Sequence, residues 1–138
     1  MTHEEIAQKR QAERDARHLF KKQYQVEVKD NETKLPIGKN STHKFDLFAL
    51  DKFIGGITTS PWKNKSGSNN TGGQDRASTE LLWLTLWSGE AHRVMILTDQ
   101  EMASKLLKRW QGCPFPHRIE IIHCDLNVEK LYTIGVLG

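Results

Sequence analysis

"HKFDLFALDKFIGGITTSPWKN", residues 43–64, decides how this chain is read. Its apolar residues fall into two runs, 44–50 and 53–59, divided by Asp51 and Lys52. That pattern predicts two strands joined at a tight turn. The first run carries one acid, Asp46, set between Phe45 and Leu47. Side chains alternate along a strand, so Asp46 is expected to point away from both neighbours. The second run has no charge over 53–62 and passes into "SPWKNKSGSNNTGGQD". Glycine, serine and asparagine dominate there, which reads as a long flexible loop with Gly72 and Gly73 forming a turn.

Upstream, "THEEIAQKRQAERDARHLFKKQ" reads as a helix. Thr2 and Glu5 fit a capping box, in which each side chain satisfies an orphan amide of the first turn. Acids lie early and Lys21 and Lys22 late, in keeping with the helix dipole. Apolar positions are sparse: Ile6, Ala12 or Ala16, Leu19 and Phe20. Such a helix packs by a narrow stripe or by its C-terminal end. Its cations, Lys9, Arg10, Arg14, Arg17, Lys21 and Lys22, are interspersed with Glu4, Glu5, Glu13 and Asp15, so a face laced with salt bridges is expected. "YQVEVKD" alternates like a short strand, and "NETKLPIGKNST" reads as a loop or an edge strand.

Downstream, "RASTELLWLTLWSG" has apolar residues around most of its circumference, which predicts a helix buried on more than one side and stopped at Gly89. "HRVMILT" and "HRIEIIHCD" read as strands, with the helix "DQEMASKLLKRWQG" between them opened by a Thr98–Glu101 capping box. Trp83, Trp87 and Trp110 are assigned to the core. A meander followed by β-α-β segments predicts an α/β domain with a mixed central sheet flanked by helices.

The chain has 138 residues, a size that suits a single domain over 1–138. A net charge of +3 and a pI near 8.9 permit nucleic-acid binding without demanding it. No apolar run approaches the roughly 20 residues that span a bilayer, so no membrane partner is expected. The acidic N-terminus, with no apolar stretch behind it, is unlike a secretory signal. Two cysteines, Cys113 and Cys124, make no disulfide framework, and a reduced, cytoplasmic setting is expected. His123 and Cys124 are adjacent on a predicted strand and so face opposite ways, which argues against a zinc site with Cys113 and His117. No P-loop, dinucleotide fingerprint or Ser-His-Asp set is present.

The element order, with "HKFDLFALDKFIGG" at its centre, resembles the PD-(D/E)XK nuclease superfamily, the restriction-endonuclease-like fold with an α-β-β-β-α-β core. The resemblance spans roughly residues 1–98. It implies hydrolysis of a DNA phosphodiester with one or two magnesium ions, which prefer carboxylate oxygens. It places the family's aspartate on Asp46 and its third-strand (D/E)-x-K tripeptide on Gly56, Ile57 and Thr58. A glycine thus stands where the second carboxylate is expected, and a threonine where the lysine is. In some branches the acid has moved to the following helix, which here offers Glu80 first and Asp75 second. Asp46 and Glu80 are then the expected metal ligands, with Lys63 or Lys65 assisting the attacking water. Trp62, Lys63, Lys65 and Arg76 are the expected nucleic-acid contacts. By analogy the enzyme would act as a homodimer. The alternative is a nuclease fold without catalysis, kept for binding nucleic acid or a protein partner. A regulatory domain with no nucleic-acid role is the third reading.

Overall fold

In a computed structural model, which describes residues 2–138, the chain folds as an α/β domain. The elements are α1 (His3–Tyr24), β1 (Thr33–Ile37), β2 (Ser41–Phe45), β3 (Leu47–Ala49), β4 (Phe53–Thr58), α2 (Thr71–Leu86), β5 (His92–Leu97), α3 (Gln100–Trp110), β6 (Ile119–Asp125) and β7 (Lys130–Leu137). Five strands form one mixed sheet in the order β3-β4-β5-β6-β7, and β1 and β2 form a separate antiparallel hairpin. β4, β5 and β6 run parallel, and the two edge strands are antiparallel to their neighbours. A bulge at Ile134 interrupts the pairing of β7 with β6.

Both faces of the sheet are covered, which is why its central strands are apolar throughout. Met95, Leu97, Ile119 and Ile121 face α2 and α3, where they meet Ala77, Leu81, Leu84, Met102 and Leu106. Val94, Ile96, Ile122 and Cys124 face the other way and meet Ala16 and Phe20 of α1. The sparse stripe of α1 therefore docks only through its C-terminal half, where Ala16, Arg17 and Phe20 are its buried residues. α2 has no base in its own last turn. Arg93 of β5 substitutes, its Nε donating to the Leu84 carbonyl at 2.7 Å and its guanidinium reaching the Gly89 carbonyl at 3.1 Å.

Several local expectations are corrected. Residues 25–29 do not form a strand. Gln25 closes α1 in the left-handed region (φ 53°), and Val26 and Val28 are buried in extended, irregular backbone. α2 begins at Thr71, well before the expected start, because the Asn70 side chain caps the Gly73 amide at 3.2 Å. Gly72 and Gly73 are thus helical rather than a turn. The loop before them is shorter than expected and folds on itself, with a bridge between Lys63 and Asn69. α2 is also less enclosed than its composition suggests: Leu82 and Leu86 are 53% and 51% exposed. Thr2 does cap α1, accepting from the Glu5 amide, whereas α3 is capped by Asp99 in place of Thr98.

The feature that positions the candidate site is a break at Asp46. β2 and β3 are collinear in sequence, but β2 pairs with β1 while β3 joins the main sheet. Arg17, 7% exposed, clamps this break by donating from Nε to the Asp46 carbonyl (2.7 Å) and from its guanidinium to the Asp30 carbonyl (2.9 Å). Substituting Arg17→Met keeps the bulk and strands both carbonyls, at a cost of about 1–3 kcal/mol. The urea midpoint is expected to fall with no change in the slope of the transition.

Candidate functional site

The site lies at the C-terminal end of β4, where α/β sheets place their ligand crevices. β3 pairs with β4 only as far as Leu47 opposite Gly55, so the next edge-facing amide of β4 lacks a strand partner. The Asp46 side chain supplies one: its Oδ2 accepts from the Ile57 N–H at 2.8 Å. Around this bond is a cleft of about 370 Å³ lined by Lys9 and Glu13 of α1, Asp46, residues 57–60, and Arg76 and Glu80 of α2. Lys9 and Glu13 are one helical turn apart, as are Arg76 and Glu80, so each helix presents a base and an acid on one face.

Glu80 reaches the sheet because of Gly56. A Cβ on Gly56 would sit 2.3 Å from the Glu80 Cγ and 3.0 Å from its Oε1. The Glu80 chain therefore fills the space that a side chain at Gly56 would occupy. His43 fixes its head: Nε2 lies 3.1 and 3.2 Å from the two carboxylate oxygens. The imidazole is itself held flat against Trp83, with ring centroids 4.5 Å apart, and edge-on to Phe45.

The electrostatics follow from burial. The Asp46 carboxyl is pushed up to about 8, chiefly by loss of solvent, with the Glu80 and Glu13 carboxylates adding and the Ile57 N–H opposing. A hydrogen bond with Glu13 also favours the protonated form of Asp46. Burial likewise raises Glu80, while His43 works against the rise. Among the described residues no three ligating side chains are gathered into a ready-made metal cage. Magnesium does not require one. It is held by one or two carboxylates and keeps several waters. Asp46 and Glu80, half-buried in the same cleft, fit that requirement.

The expected residues are only partly brought together. Asp46, Glu80 and Arg76 share the cleft, whereas Asp75 is exposed on α2 and does not line it. Lys63 and Lys65 are exposed in the loop and also lie outside the cleft. Trp62 is pinned rather than free. Its amide donates to Asp99, its carbonyl accepts from Gln74, and Lys105 and Arg109 stand over its ring. Lys9, Glu13 and His43 are additional residues of the site. The signal for the first two lay in the stripe of α1: read backwards from Phe20 and Ala16 at helical spacing, it lands on Glu13 and Lys9.

Comparison with known proteins adds no assignment: no family model, curated protein or solved structure matches the chain.

Two outcomes are expected. Stability is greatest with Asp46 protonated. As pH rises from near 4, the unfolded chain ionises this group while the folded one resists, so stability falls until about pH 8. Asp46→Asn removes that fall, on the order of a few kcal/mol, and unfolding curves from pH 4 to 9 check it. Gly56→Ala displaces Glu80 from the sheet and should lower divalent-cation affinity about tenfold or more, as removal of a supporting group does. Calorimetric titration reads that change.

Proposed function

We propose that the chain is a magnesium-dependent endonuclease-like phosphodiesterase acting on DNA, in a restriction-endonuclease-like fold whose site has been rearranged. Asp46 and Glu80 would hold the ion, with Glu80 standing in for the acid that β4 lacks. The observation that carries the reading is the Glu80 chain lying in the volume above Gly56. A carboxylate delivered there from α2 arrives over the strand position where the family's own acid would project. The base is supplied in the same way, with Lys9 of α1 replacing the missing lysine at Thr58.

Each group then has a defined task. The bound ion would supply polarisation of the phosphate and a more acidic water. The Lys9 ammonium offsets charge that develops on the phosphoryl oxygens, a stabilisation worth most where water is excluded. Arg76, exposed at the mouth, pairs with a neighbouring phosphate. His43 keeps the Glu80 carboxylate turned toward the cleft. Asp46 must release its proton before it can bind a cation, so cation affinity rises with pH up to about 8.

The test is calorimetric binding of magnesium or manganese, paired with cleavage of plasmid DNA. Wild type should bind saturably and nick the plasmid. Asp46→Ala should lose both activities. Lys9→Met should keep the metal and lose cleavage by about 100-fold or more, as expected for a charge acting on the transition state. A wild-type protein that takes up no cation would overturn the catalytic reading and leave a nuclease-shaped binding module.

A further inference from the structure

The cations of α1 are not laced into salt bridges. Among the described residues the only ion pair that α1 makes is Lys21 with Glu27, beyond the helix end. Asp15 is satisfied by Gln11, which also accepts from Arg14, and among the described residues no acid of the helix bridges directly to a base. This overturns the pattern expected from sequence. What the cations of α1 line is continuous. The candidate cleft shares Glu13 with a groove of about 390 Å³ between α1 and the β1–β2 hairpin. That groove shares Arg14 and Arg17 with the next depression along α1, which in turn shares His18 and Lys21 with a third.

This trough concentrates the charge of the molecule. Its three depressions are lined by nine cationic side chains against four acidic ones, Glu13, Glu27, Asp30 and Glu32. The rest of the chain has eleven against thirteen, so the net +3 is carried here over an otherwise slightly acidic protein. From Lys9 to Lys22 the helix advances about 20 Å, long enough to follow several successive phosphates of one strand. Arg10, Arg14, Lys34 and Lys44 are exposed along its first groove and make no ion pair among the described residues.

We infer that the trough between α1 and the β1–β2 hairpin is the track for the DNA backbone, leading the strand into the cleft, and that the 59–70 loop is not. This rests on the nuclease reading of the cleft. A phosphodiester fits better than an isolated anion because the cations continue from one depression to the next and end beside the acidic cleft.

The experiment is fluorescence anisotropy with labelled duplex and single-stranded oligonucleotides, in EDTA, across a series of salt concentrations. Replacing Arg10, Arg14, Lys34 and Lys44 together by Ala should weaken binding at least about tenfold and flatten the log–log salt dependence, by about 0.9 per lost phosphate contact on a duplex or 0.7 on a single strand. Whichever of the two oligonucleotides loses affinity and slope in the fourfold variant is the form of DNA that lies in the trough. The pair Lys34→Ala and Lys44→Ala, on the hairpin alone, should give about half of that change and guards against damage to α1. Lys63→Ala with Lys65→Ala should leave the slope as in wild type. If wild type binds and the fourfold variant matches it, the trough assignment is overturned while the nuclease reading stands. If wild type shows no salt-dependent binding to either oligonucleotide, both fall.

Discussion

The bond from the Ile57 amide to the Asp46 carboxylate is the constraint on which the open end of this molecule depends. A β-sheet edge ordinarily satisfies its amides with another strand or with water. Here the neighbouring strand joins the ladder only at Leu47, and before it a side chain takes over the role of a carbonyl. The exchange has two effects. It lets β2 swing out to build the β1–β2 hairpin, which becomes one wall of the basic trough. It also sets the Asp46 carboxyl near Glu80 in poorly solvated surroundings, where both are pushed above the usual carboxylate range.

The cleft is thus an electrostatic arrangement that the fold supports from outside. Arg17 holds the Asp46 backbone, and the His43–Trp83 stack holds Glu80. Neither support touches the space between the acids. Gly56 contributes by having no side chain, which leaves room for a helix-borne acid to lie across the strand. A second polar cluster, in which Glu120 meets His92, Tyr24 and Thr133, ties the end of α1 to β5, β6 and β7 and belongs to the framework.

Much of this was legible in the sequence. The turn at Asp51–Lys52 and the strands either side are where the apolar runs put them, since a strand buried on both faces reads as a continuous apolar run. The order α2, β5, α3, β6 also follows from pattern, whereas the mixed sequence after residue 125 gives no sign of β7. Glu80 was found through its helix, but the role of Gly56 was not visible, because a glycine carries no record of what fills its place. The cations of α1 misled because interspersed acids and bases look neutral in one dimension. Whether they pair depends on which way each side chain turns. The β2–β3 break was hidden for a similar reason: an unbroken apolar run does not show that its two halves pair with different partners.

Lys9 and Glu13 sit on the part of α1 that the core does not hold. Every buried residue of that helix lies at or beyond Ala16, so its first three turns are held by a Thr2 cap, early acids, the continuity of the helix and the contact of Glu13 with Asp46. Short helical ends with few tertiary anchors open at little cost in free energy. One wall of the cleft is consequently a local folding equilibrium. The full set of charges exists only in the fraction of molecules in which this end is wound, and a polyanion lying along α1 would shift that fraction by binding it. Substrate and site would then order one another, a coupling that amide exchange would register as protection confined to the first turns of a single helix.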